Sequence, residues 1–588
     1  MKTLKRLLSL LLVVCVAFGV TACKPKGIQI DTTKTQIYVS NFNGGFGKEW
    51  LDEIAKDFTE DYKNVSFEAG KTGVQVIIKN HKKTASSMIE DFREDDYYVF
   101  FNENLAYNEY VAKNNLLDIT DVVNGTFSIR DAQYDFVNAL DEEGSVLGRD
   151  AIPEPSAEDK NIIGKFNDIQ KDALKINNKY YAIPHYEGFY GLTYDADLWN
   201  TKGYYMDKDG IFQLKLEDRE DFSVGPDGIE GTYDDGLPAT YEEFFALLTW
   251  IRGKGETPII WSGENQFYIT NTINQLIADY NGVDNERLCY TFNGTATEFI
   301  TGWDGNTPII GEKEIKNENG YDVFGQAGFY YGLKWAEQLV RTNGNVHADS
   351  FTESASHTNV QNKYLMSVRG TVGKRIAMIA EGCWWQNEAK GQFNVMEDQF
   401  DLGAKDRNLL WMPLPKADAD HIGKTTLLES NRCFGMIRAN MPENRIPLAK
   451  LFLQYCNTLE RLQEFSFITN TSKALTYDMP EGWENDERLT PFGKSILQMK
   501  TAKDPDSGEP MTEIVYQLST NSLYANSASE FQKMNIFEFG DYVSPAKAFK
   551  ENASLTAKAY FGSAGTGESG SGYTKSWRQK WSTYLAKA

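Results

Sequence analysis

Histidine and cysteine are scarce in this chain, which has 5 histidines and 6 cysteines among 588 residues. The histidines form no pair at the spacing of a zinc site, and the cysteines match no metal or disulfide framework, so both kinds of site are unsupported. Because an unpaired structural cysteine behaves as a small hydrophobic side chain, we expect those beyond residue 23 to be buried thiols. They are Cys289, Cys383, Cys433 and Cys456.

Positive charge is also in short supply, since 60 lysines and arginines face 83 acidic residues and the formal net charge is -23 at pH 7. An acidic surface repels nucleic acid and anionic lipid, and it disfavours a polyanionic ligand. We therefore predict no nucleic-acid partner. Solubility outside the cell is the simplest explanation of the charge.

Long apolar runs are absent beyond the beginning of the chain. Three basic residues within 2–6 precede the mostly apolar run 7–19, which is the pattern of a secretory signal peptide. This run is shorter than the roughly 20 apolar residues that a membrane-spanning helix needs. The rest of the chain should therefore be a soluble body. Its length is too great for one hydrophobic core, so we expect at least two domains.

The apolar run ends in the tetrapeptide 20–23, Val-Thr-Ala-Cys, which resembles a bacterial lipobox. In a lipobox a small residue precedes a cysteine that is acylated and becomes the new N-terminus. We therefore predict a signal peptide at 1–22 and a tether at 23–33 that is lipidated on Cys23. Lipid alone would hold a monomeric protein at the outer face of the cell membrane. An ordinary secretory signal with a chance cysteine is the alternative.

The first part of the chain alternates short apolar runs with helical periods. Runs at 37–40, 74–79 and 97–101 predict buried strands, and a helical period through Trp50 and Phe58 follows the first of them. Strands that alternate with helices predict an α/β fold with a largely parallel sheet. Ligands of such sheets gather at the carboxyl ends of the strands.

Later segments repeat this pattern. Thr240 stands three residues before Glu243, which predicts a capping box at the start of a helix over 241–251. The segment 141–165, rich in acidic residues, glycine and proline, predicts an inserted surface loop. Further strands are predicted at 258–261, 374–379 and 433–437, an extended crossing at 410–415, and a helix over 447–459.

Four groups of residues, in a fixed order, resemble one family. These are a tyrosine-rich stretch at 181–199, a Pro-x-Thr-Tyr-x-Glu-Phe helix start within 237–244, a Gly-Lys stretch followed by Gly-x-Trp at 373–384, and Met-Pro-Leu-Pro at 412–415 with the strand and helix after it. In them the chain is similar to the extracellular solute-binding proteins of carbohydrate ABC transporters, the maltose-binding-protein-like group.

The resemblance implies a two-lobed, periplasmic-binding-protein-like fold with hinge crossings near Tyr186, Pro413 and Lys473. It implies capture of an oligosaccharide and its delivery to the permease subunits of an ABC importer, with no catalytic residue. The first lobe would comprise 34–184 and 416–474, and the second 185–415 and 475–588. This chain departs from the family by large insertions near 141–165, 204–237, 289–322 and 476–528.

A sugar presents apolar C–H faces ringed by hydroxyls, so its site needs aromatic platforms and a polar rim. Trp384 falls on the Gly-x-Trp position, where the resemblance implies a ring stacked on sugar. Packing in the core is the alternative for each aromatic residue, and a solvated turn is the alternative for the asparagines. The predicted ligand-binding residues are Asn43, Asn102, Glu103, Tyr186, Glu187, Trp261, Phe267, Tyr268, Trp384 and Trp385.

Three further interpretations stay open on the sequence. Asp227, Asp234 and Asp235 lie among glycines, as the oxygen ligands of a structural calcium ion do, although an acidic solvated turn explains them as well. No other cofactor is predicted. A lipid-anchored glycoside hydrolase would need two carboxylates across a cleft, and 83 acidic residues leave room for such a pair. A glycan sensor or adhesin that delivers nothing is the third alternative.

Overall fold

The computed structural model describes residues 29–83, 85–94, 96–103, 106–430, 433–526, 544–562 and 573–586. The predicted signal peptide and Cys23 lie outside these residues. The strands are β1 Thr35–Phe42, β2 Val65–Ser66, β3 Val74–His81, β4 Val99–Glu103, β5 Asn138–Leu140, β6 Val146–Gly148, β7 Lys175–Ile176, β8 Lys179–Tyr180, β9 Ala182–Pro184, β10 Tyr190–Asp195, β11 Tyr205–Met206, β12 Phe212–Leu214, β13 Thr257–Ile260, β14 Gly294–Asp304, β15 Thr307–Ile315, β16 Ile376–Gly382, β17 Leu409–Met412, β18 Thr425–Glu429, β19 Cys433–Ile437 and β20 Thr512–Tyr516.

The α-helices are numbered separately, and short 3-10 turns join several of them. None of the helices described is both long enough and apolar enough to cross a membrane. They are α1 Glu49–Asp61, α2 Ala85–Glu94, α3 Tyr107–Ala112, α4 Thr120–Val123, α5 Ala157–Lys160, α6 Asp168–Ala173, α7 Ala196–Lys202, α8 Tyr241–Gly253, α9 Phe267–Thr291, α10 Ala327–Arg341, α11 His357–Met366, α12 Trp385–Glu388, α13 Lys390–Phe400, α14 Ile446–Tyr455, α15 Leu459–Thr469, α16 Pro491–Thr501, α17 Pro545–Glu551, α18 Ala557–Phe561 and α19 Tyr573–Leu585.

The first of the two main sheets has five strands in the order β3, β1, β4, β19, β9. β1 runs parallel to β3 and to β4, with Val39 opposite Val99. β19 runs antiparallel to β4 and to β9. Helix α1 buries Trp50 and Phe58 in the core of this sheet. The strand predicted at 37–40 and the helix after it are therefore confirmed.

The second main sheet has four strands in the order β13, β16, β10, β17. β13 is parallel to β16, and β10 is antiparallel to both of its neighbours. Every residue of β16 is buried, as expected of a strand covered on both faces. Helix α8 has the predicted capping box, since the backbone N–H of Glu243 donates to Thr240 Oγ1 at 3.3 Å and Glu243 Oε2 accepts from the backbone N–H of Thr240 at 3.0 Å. The α/β, two-lobed prediction is confirmed.

Three chain segments cross between the two sheets side by side. The first, 185–189, joins β9 to β10, and its His185 N–H donates to the carbonyl of Cys433 at 2.8 Å, where the second crossing enters β19. The third lies against the other edge of the first, because the N–H of Ala474 donates to the carbonyl of His185 at 2.9 Å. The first and third crossings lie where the sequence predicts them.

The return to the first sheet comes later in the chain than the predicted crossing near Pro413. Strand β18 pairs with β20, and the side chain of Gln275 in α9 donates to the carbonyl of Thr426 at 2.8 Å and accepts from the N–H of Leu428 at 3.0 Å. These hydrogen bonds hold the chain after Pro413 on the second side as far as Glu429, and β19 of the first sheet begins at Cys433. The inserted segment around β20 supplies the extra partner strand.

Two other predictions are tested by the fold. The segment 141–165 is more than a surface loop, because β6 pairs with β5 in a small sheet that also contains β2. The four cysteines beyond residue 23 are free and buried, which confirms that prediction.

Candidate ligand-binding site

The first crossing presents two neighbouring side chains in opposite directions, as an extended chain does. The hydroxyl of Tyr186 donates to Glu103 at the end of β4. Glu187, the next residue, contacts Ser472, Lys500 and Tyr516 instead. The crossing therefore separates two polar regions of the molecule, one on each side of the hinge.

Six aromatic side chains from both sides of the crossing meet on the Tyr186 side. The ring centroid of Phe46 lies 4.0 Å from that of Tyr186 and 5.9 Å from that of Trp384. Trp384 meets Tyr190 edge to face at 5.0 Å, and Tyr190 lies 5.9 Å from Tyr268. We call this group the aromatic cleft: Phe46, Tyr186, Tyr190, Phe267, Tyr268 and Trp384.

The glycine-rich loop after β1 closes onto the second sheet within the aromatic cleft. A Cβ atom added to Gly45 would overlap the side chain of Trp384, and one added to Gly44 would overlap Phe42. Trp384 is 5% exposed in this arrangement. The two lobes thus touch directly, and glycine at position 45 is what allows the loop to approach the tryptophan.

Glu103 is the carboxyl group of the first lobe in this region. Burial raises its pKa to about 7; the hydrogen bond from Tyr186 opposes this rise, while the charge of Glu388 adds to it. A carboxyl group in such surroundings keeps its proton at pH values well above those at which an exposed carboxyl group ionises. Near neutral pH, Glu103 can therefore either donate or accept a hydrogen bond.

The second lobe contributes a pair of carboxyl groups that share one amide. Gln361 Nε2 donates to Glu381 Oε1 at 3.3 Å and to Glu388 Oε2 at 3.2 Å. Glu381 is fully buried, and burial together with the charge of Glu388 raises its pKa well above the ordinary value. Two buried acceptors, Glu381 Oε2 and Gln361 Oε1, receive no hydrogen bond from the described residues. We call Gln361, Glu381 and Glu388 the acidic corner.

The Glu187 side of the crossing contains a cavity of about 480 Å³. Glu187 Oε1 accepts from Ser472 Oγ at 2.7 Å and forms an ion pair with Lys500, and Glu187 Oε2 accepts from Tyr516 Oη at 2.8 Å. Burial lowers the pKa of Lys500 to about 7. This hinge cavity is also lined by Asn167, Arg287, Leu475, Thr476, Tyr477, Leu497 and Ile514.

Neither a family model nor a curated protein matches the chain. Among solved structures it is similar to the GacH receptor of Streptomyces glaucescens GLA.O, with 11% identity, 94% of this chain and 99% of that chain covered, and a TM-score of 0.51. It is also similar to a structure described in connection with xylan utilization by the thermophilic bacterium Caldanaerobius polysaccharolyticus, with 12% identity, 93% and 99% covered, and a TM-score of 0.50.

This chain has the two-lobed solute-binding-protein fold. In such a fold the crossings form the hinge between two lobes, and the space between the lobes is where the carboxyl ends of the strands face each other. The aromatic cleft of this solute-binding fold occupies that place, because β1, β4 and β16 end at its border.

Five of the ten predicted ligand-binding residues meet in or beside the aromatic cleft. They are Glu103, Tyr186, Phe267, Tyr268 and Trp384. Asn43 and Asn102 lie at its first-lobe border: the N–H of Asn43 donates to the carbonyl of His81 at 2.8 Å, and Asn102 Nδ2 donates to the carbonyl of Glu103 at 3.0 Å.

The structure places three of the predicted ligand-binding residues elsewhere. Glu187 faces the hinge cavity. Trp385 is fully buried and its Nε1 donates to Thr193 Oγ1 at 3.0 Å, so its ring packs in the core behind Trp384. Trp261 is also fully buried, with its ring 5.4 Å from that of Phe351. No free face of either indole is left for a ligand.

Several residues of the site were not predicted as ligand contacts. Phe46 lies in the glycine-rich loop that the sequence singles out, and Tyr190 lies four residues after Tyr186 in the tyrosine-rich stretch. A preference for aromatic residues in those stretches would have found both. The acidic corner carries no such signal, because Gln361 and Glu388 belong to helices separated in sequence from each other.

The three aspartates of the acidic loop are held by hydrogen bonds within the loop. The N–H of Asp227 donates to Asp234 Oδ2 at 3.0 Å, and the N–H of Gly231 donates to Asp235 Oδ2 at 2.8 Å. Burial and the neighbouring Asp227 raise the pKa of Asp234 to about 7. Among the residues that the structure describes, no three His, Cys, Asp or Glu side chains converge as metal ligands would. Bound calcium stays a prediction.

Proposed function

We propose that this protein captures an oligosaccharide between its two lobes and hands it to an ABC importer. The observation that carries the proposal is the aromatic cleft, where rings from both lobes face one another beside Glu103 and the acidic corner. Aromatic faces match the apolar faces of a sugar, and carboxyl and amide groups match its hydroxyl rim. The similar GacH receptor was solved in complex with acarbose and an acarbose homolog.

Capture needs only movement of the lobes and no covalent step. With the lobes apart, Trp384 and Tyr186 are open to a ligand, and closure brings Gly45 and Phe46 onto its other side. Water leaves the cleft as the rings cover the sugar, which strengthens the hydrogen bonds to the rim. The closed form is the one that the importer would recognise.

The proposal includes attachment by lipid to the outer face of the cell membrane, through Cys23 within the lipobox-like tetrapeptide 20–23. Two acyl chains give stable anchoring where one would be marginal. We expect wild-type protein to partition into the detergent phase and the Cys23→Ala variant to remain in the aqueous phase. Equal partitioning of the two proteins would contradict lipidation.

Binding is tested by calorimetry with a panel of gluco-, xylo-, galacto- and chito-oligosaccharides. A bound sugar at a hundred times its dissociation constant should raise the free energy of unfolding by about 2.7 kcal/mol. Chromatography after overnight incubation should return the sugar intact. Shortened products in excess of the protein would identify a glycoside hydrolase instead, and binding without any effect of gene deletion on uptake of that sugar would identify a sensor.

A further inference from the structure

On the basis of the proposed function, we infer that the ligand is an amino sugar, or an oligosaccharide that contains one, and that its positively charged amine binds at the acidic corner. The corner lies at the end of the aromatic cleft where Tyr268 and Glu388 are placed. The inference concerns the chemical class of the ligand at one position. Capture of a neutral sugar would leave the proposed function intact.

The first reason is charge. Glu103, Glu381 and Glu388 bring three carboxyl groups to one region, and none of them forms an ion pair with a lysine or arginine that the structure describes. The nearby basic residues are Lys82, which is exposed, and His357, whose Nδ1 lies 3.3 Å from Asn265 Oδ1. A site for a neutral sugar balances acceptors with donors, whereas this one is strongly weighted toward carboxyl groups.

The second reason is the hydrogen bonding inside the acidic corner. One amide, that of Gln361, serves both carboxyl groups, and the buried acceptors Glu381 Oε2 and Gln361 Oε1 have no donor within the described chain. Buried polar atoms of folded proteins almost always have a partner. An ammonium group supplies three donors and no acceptor, so it can donate to both atoms, whereas a single hydroxyl supplies one donor.

The third reason is the ring faces around the acidic corner. Tyr190, Tyr268 and Trp384 lie beside it, with the Tyr190 and Trp384 centroids 5.0 Å apart. Aromatic faces carry negative potential and attract a cation that has lost its water. Burial raises the pKa of Glu381 and of Glu388, and the charge of Glu388 adds to the rise at Glu381, so the empty pair retains a proton that an ammonium ion would replace.

The test compares sugars that differ only in the group at the 2-position. Calorimetry would measure glucosamine, N-acetylglucosamine and glucose, then their β-1,4-linked trisaccharides, and galactosamine and mannosamine with their neutral parents. We expect at least one amine to bind tenfold or more tightly than both its acetylated and its hydroxyl form. Equal or tighter binding of every neutral form would overturn the inference and keep the proposed function, whereas no binding by any sugar of this set or of the oligosaccharide panel would count against both.

Variants of the acidic corner then locate the effect. We expect Glu381→Gln and Glu388→Gln each to lower the ratio of amine affinity to hydroxyl affinity by about tenfold, since each removes one charge-assisted hydrogen bond. Glu264→Gln, an exposed glutamate nearby, should leave the ratio unchanged. An unchanged ratio in the folded Glu388→Gln variant would place the amine elsewhere and contradict the inference.

A proton count provides a readout that does not depend on variants. Calorimetry of the amine near pH 6, in two buffers of different ionisation enthalpy, should show a proton released from the acidic corner on binding. The N-acetylated partner should release none. Identical proton counts for the two sugars would show that the ammonium does not replace the proton of Glu381 and Glu388, and would also contradict the inference.

Discussion

The two sides of the first crossing each contain a buried carboxyl group, but the two groups differ in how many partners they have. On the hinge-cavity side, Glu187 is fully satisfied by Lys500, Ser472 and Tyr516. On the aromatic-cleft side, Glu381 has one hydrogen bond to a shared amide and a second oxygen with none. The described residues satisfy the first carboxyl group, and on our inference only a ligand would satisfy the second.

This difference distinguishes buried polar groups that stabilise the fold from buried polar groups that are candidates for binding a ligand. A buried ion pair whose geometry is fully satisfied has nothing left to offer to a ligand, although breaking it is costly. Buried carboxyl groups that stay protonated because no cation pairs with them are candidates for binding a ligand. Four experiments would test the contrast between the two sides of the crossing and the assignment of the cleft, in order of decreasing expected effect.

The largest effect should follow removal of Lys500. In Lys500→Met, the buried carboxylate of Glu187 loses its cation, which should lower the free energy of unfolding by about 3–5 kcal/mol. Glu381→Gln, which relieves an unpartnered acceptor, should change it by less than about 1 kcal/mol. Urea unfolding measures both, with exposed Lys503→Met as the control. Equal changes in the free energy of unfolding for Lys500→Met and Glu381→Gln would contradict the proposed difference between Glu187 and Glu381.

The second effect is a dependence of stability on pH that comes from Glu103. Its pKa is raised from 4.5 to about 7 in the folded protein, so the native state binds the proton more tightly than the unfolded chain does. The contribution is present below pH 4.5 and is lost as pH rises toward 7, by up to about 3 kcal/mol. Glu103→Gln should flatten this slope relative to wild type in unfolding experiments across that range.

Exposed Glu142→Gln should keep the wild-type slope and serves as the control for Glu103. A Glu103→Gln variant with the same slope as wild type would mean that the carboxyl group is ionised in the folded protein. The raised pKa of Glu103 would then be disproved.

The third effect distinguishes two neighbouring tryptophans. Trp384→Ala should weaken sugar binding by about tenfold or more, because it removes stacking worth roughly 0.5–1.5 kcal/mol together with contact area. Trp385→Phe should lower the unfolding midpoint and leave affinity nearly unchanged, since Trp385 is fully buried behind it. Calorimetry paired with thermal unfolding measures both quantities. A folded Trp384→Ala protein with wild-type affinity would remove Trp384 from the site.

The smallest effect concerns an exposed ion pair that spans the lobes. Lys390 Nζ lies 3.2 Å from Glu49 Oε1, and both side chains are about half exposed. Exposed pairs contribute about 0.2–1 kcal/mol, and salt screens them. Lys390→Ala should therefore weaken ligand affinity at most about fivefold at low salt and leave it unchanged at high salt. A larger loss that persists at high salt would mean that closure depends on this pair.

Local patterns in the sequence predicted much of the fold. The strand β1 and the capping box of Thr240 and Glu243 depend on residues close in the chain, and both are found where expected. The late return at Cys433 could not be predicted, because it depends on pairing between β18 and the distant inserted strand β20.

Some residues of the candidate site could likewise be predicted from local sequence patterns, and others could not. Trp384 and Tyr186 carry a local pattern, whereas the acidic corner exists only because a strand end and two helices converge. Tyr186 and Glu187 could have been assigned to opposite sides from the alternation of an extended chain. The roles of Trp384 and Trp385 could not be distinguished, since both are aromatic and adjacent, and only the packing shows which ring Tyr364 and Phe393 cover.

The contact between Gly45 and Trp384 has a consequence for the living cell. One methyl group at position 45 would hold the lobes apart in the arrangement described here, because its carbon would overlap the indole. Under the proposed function, a protein held open in this way would still reach the importer, yet it could not adopt the closed form that the importer would recognise. On that proposal, a Gly45→Ala form expressed beside the normal protein would act as a dominant inhibitor of sugar uptake.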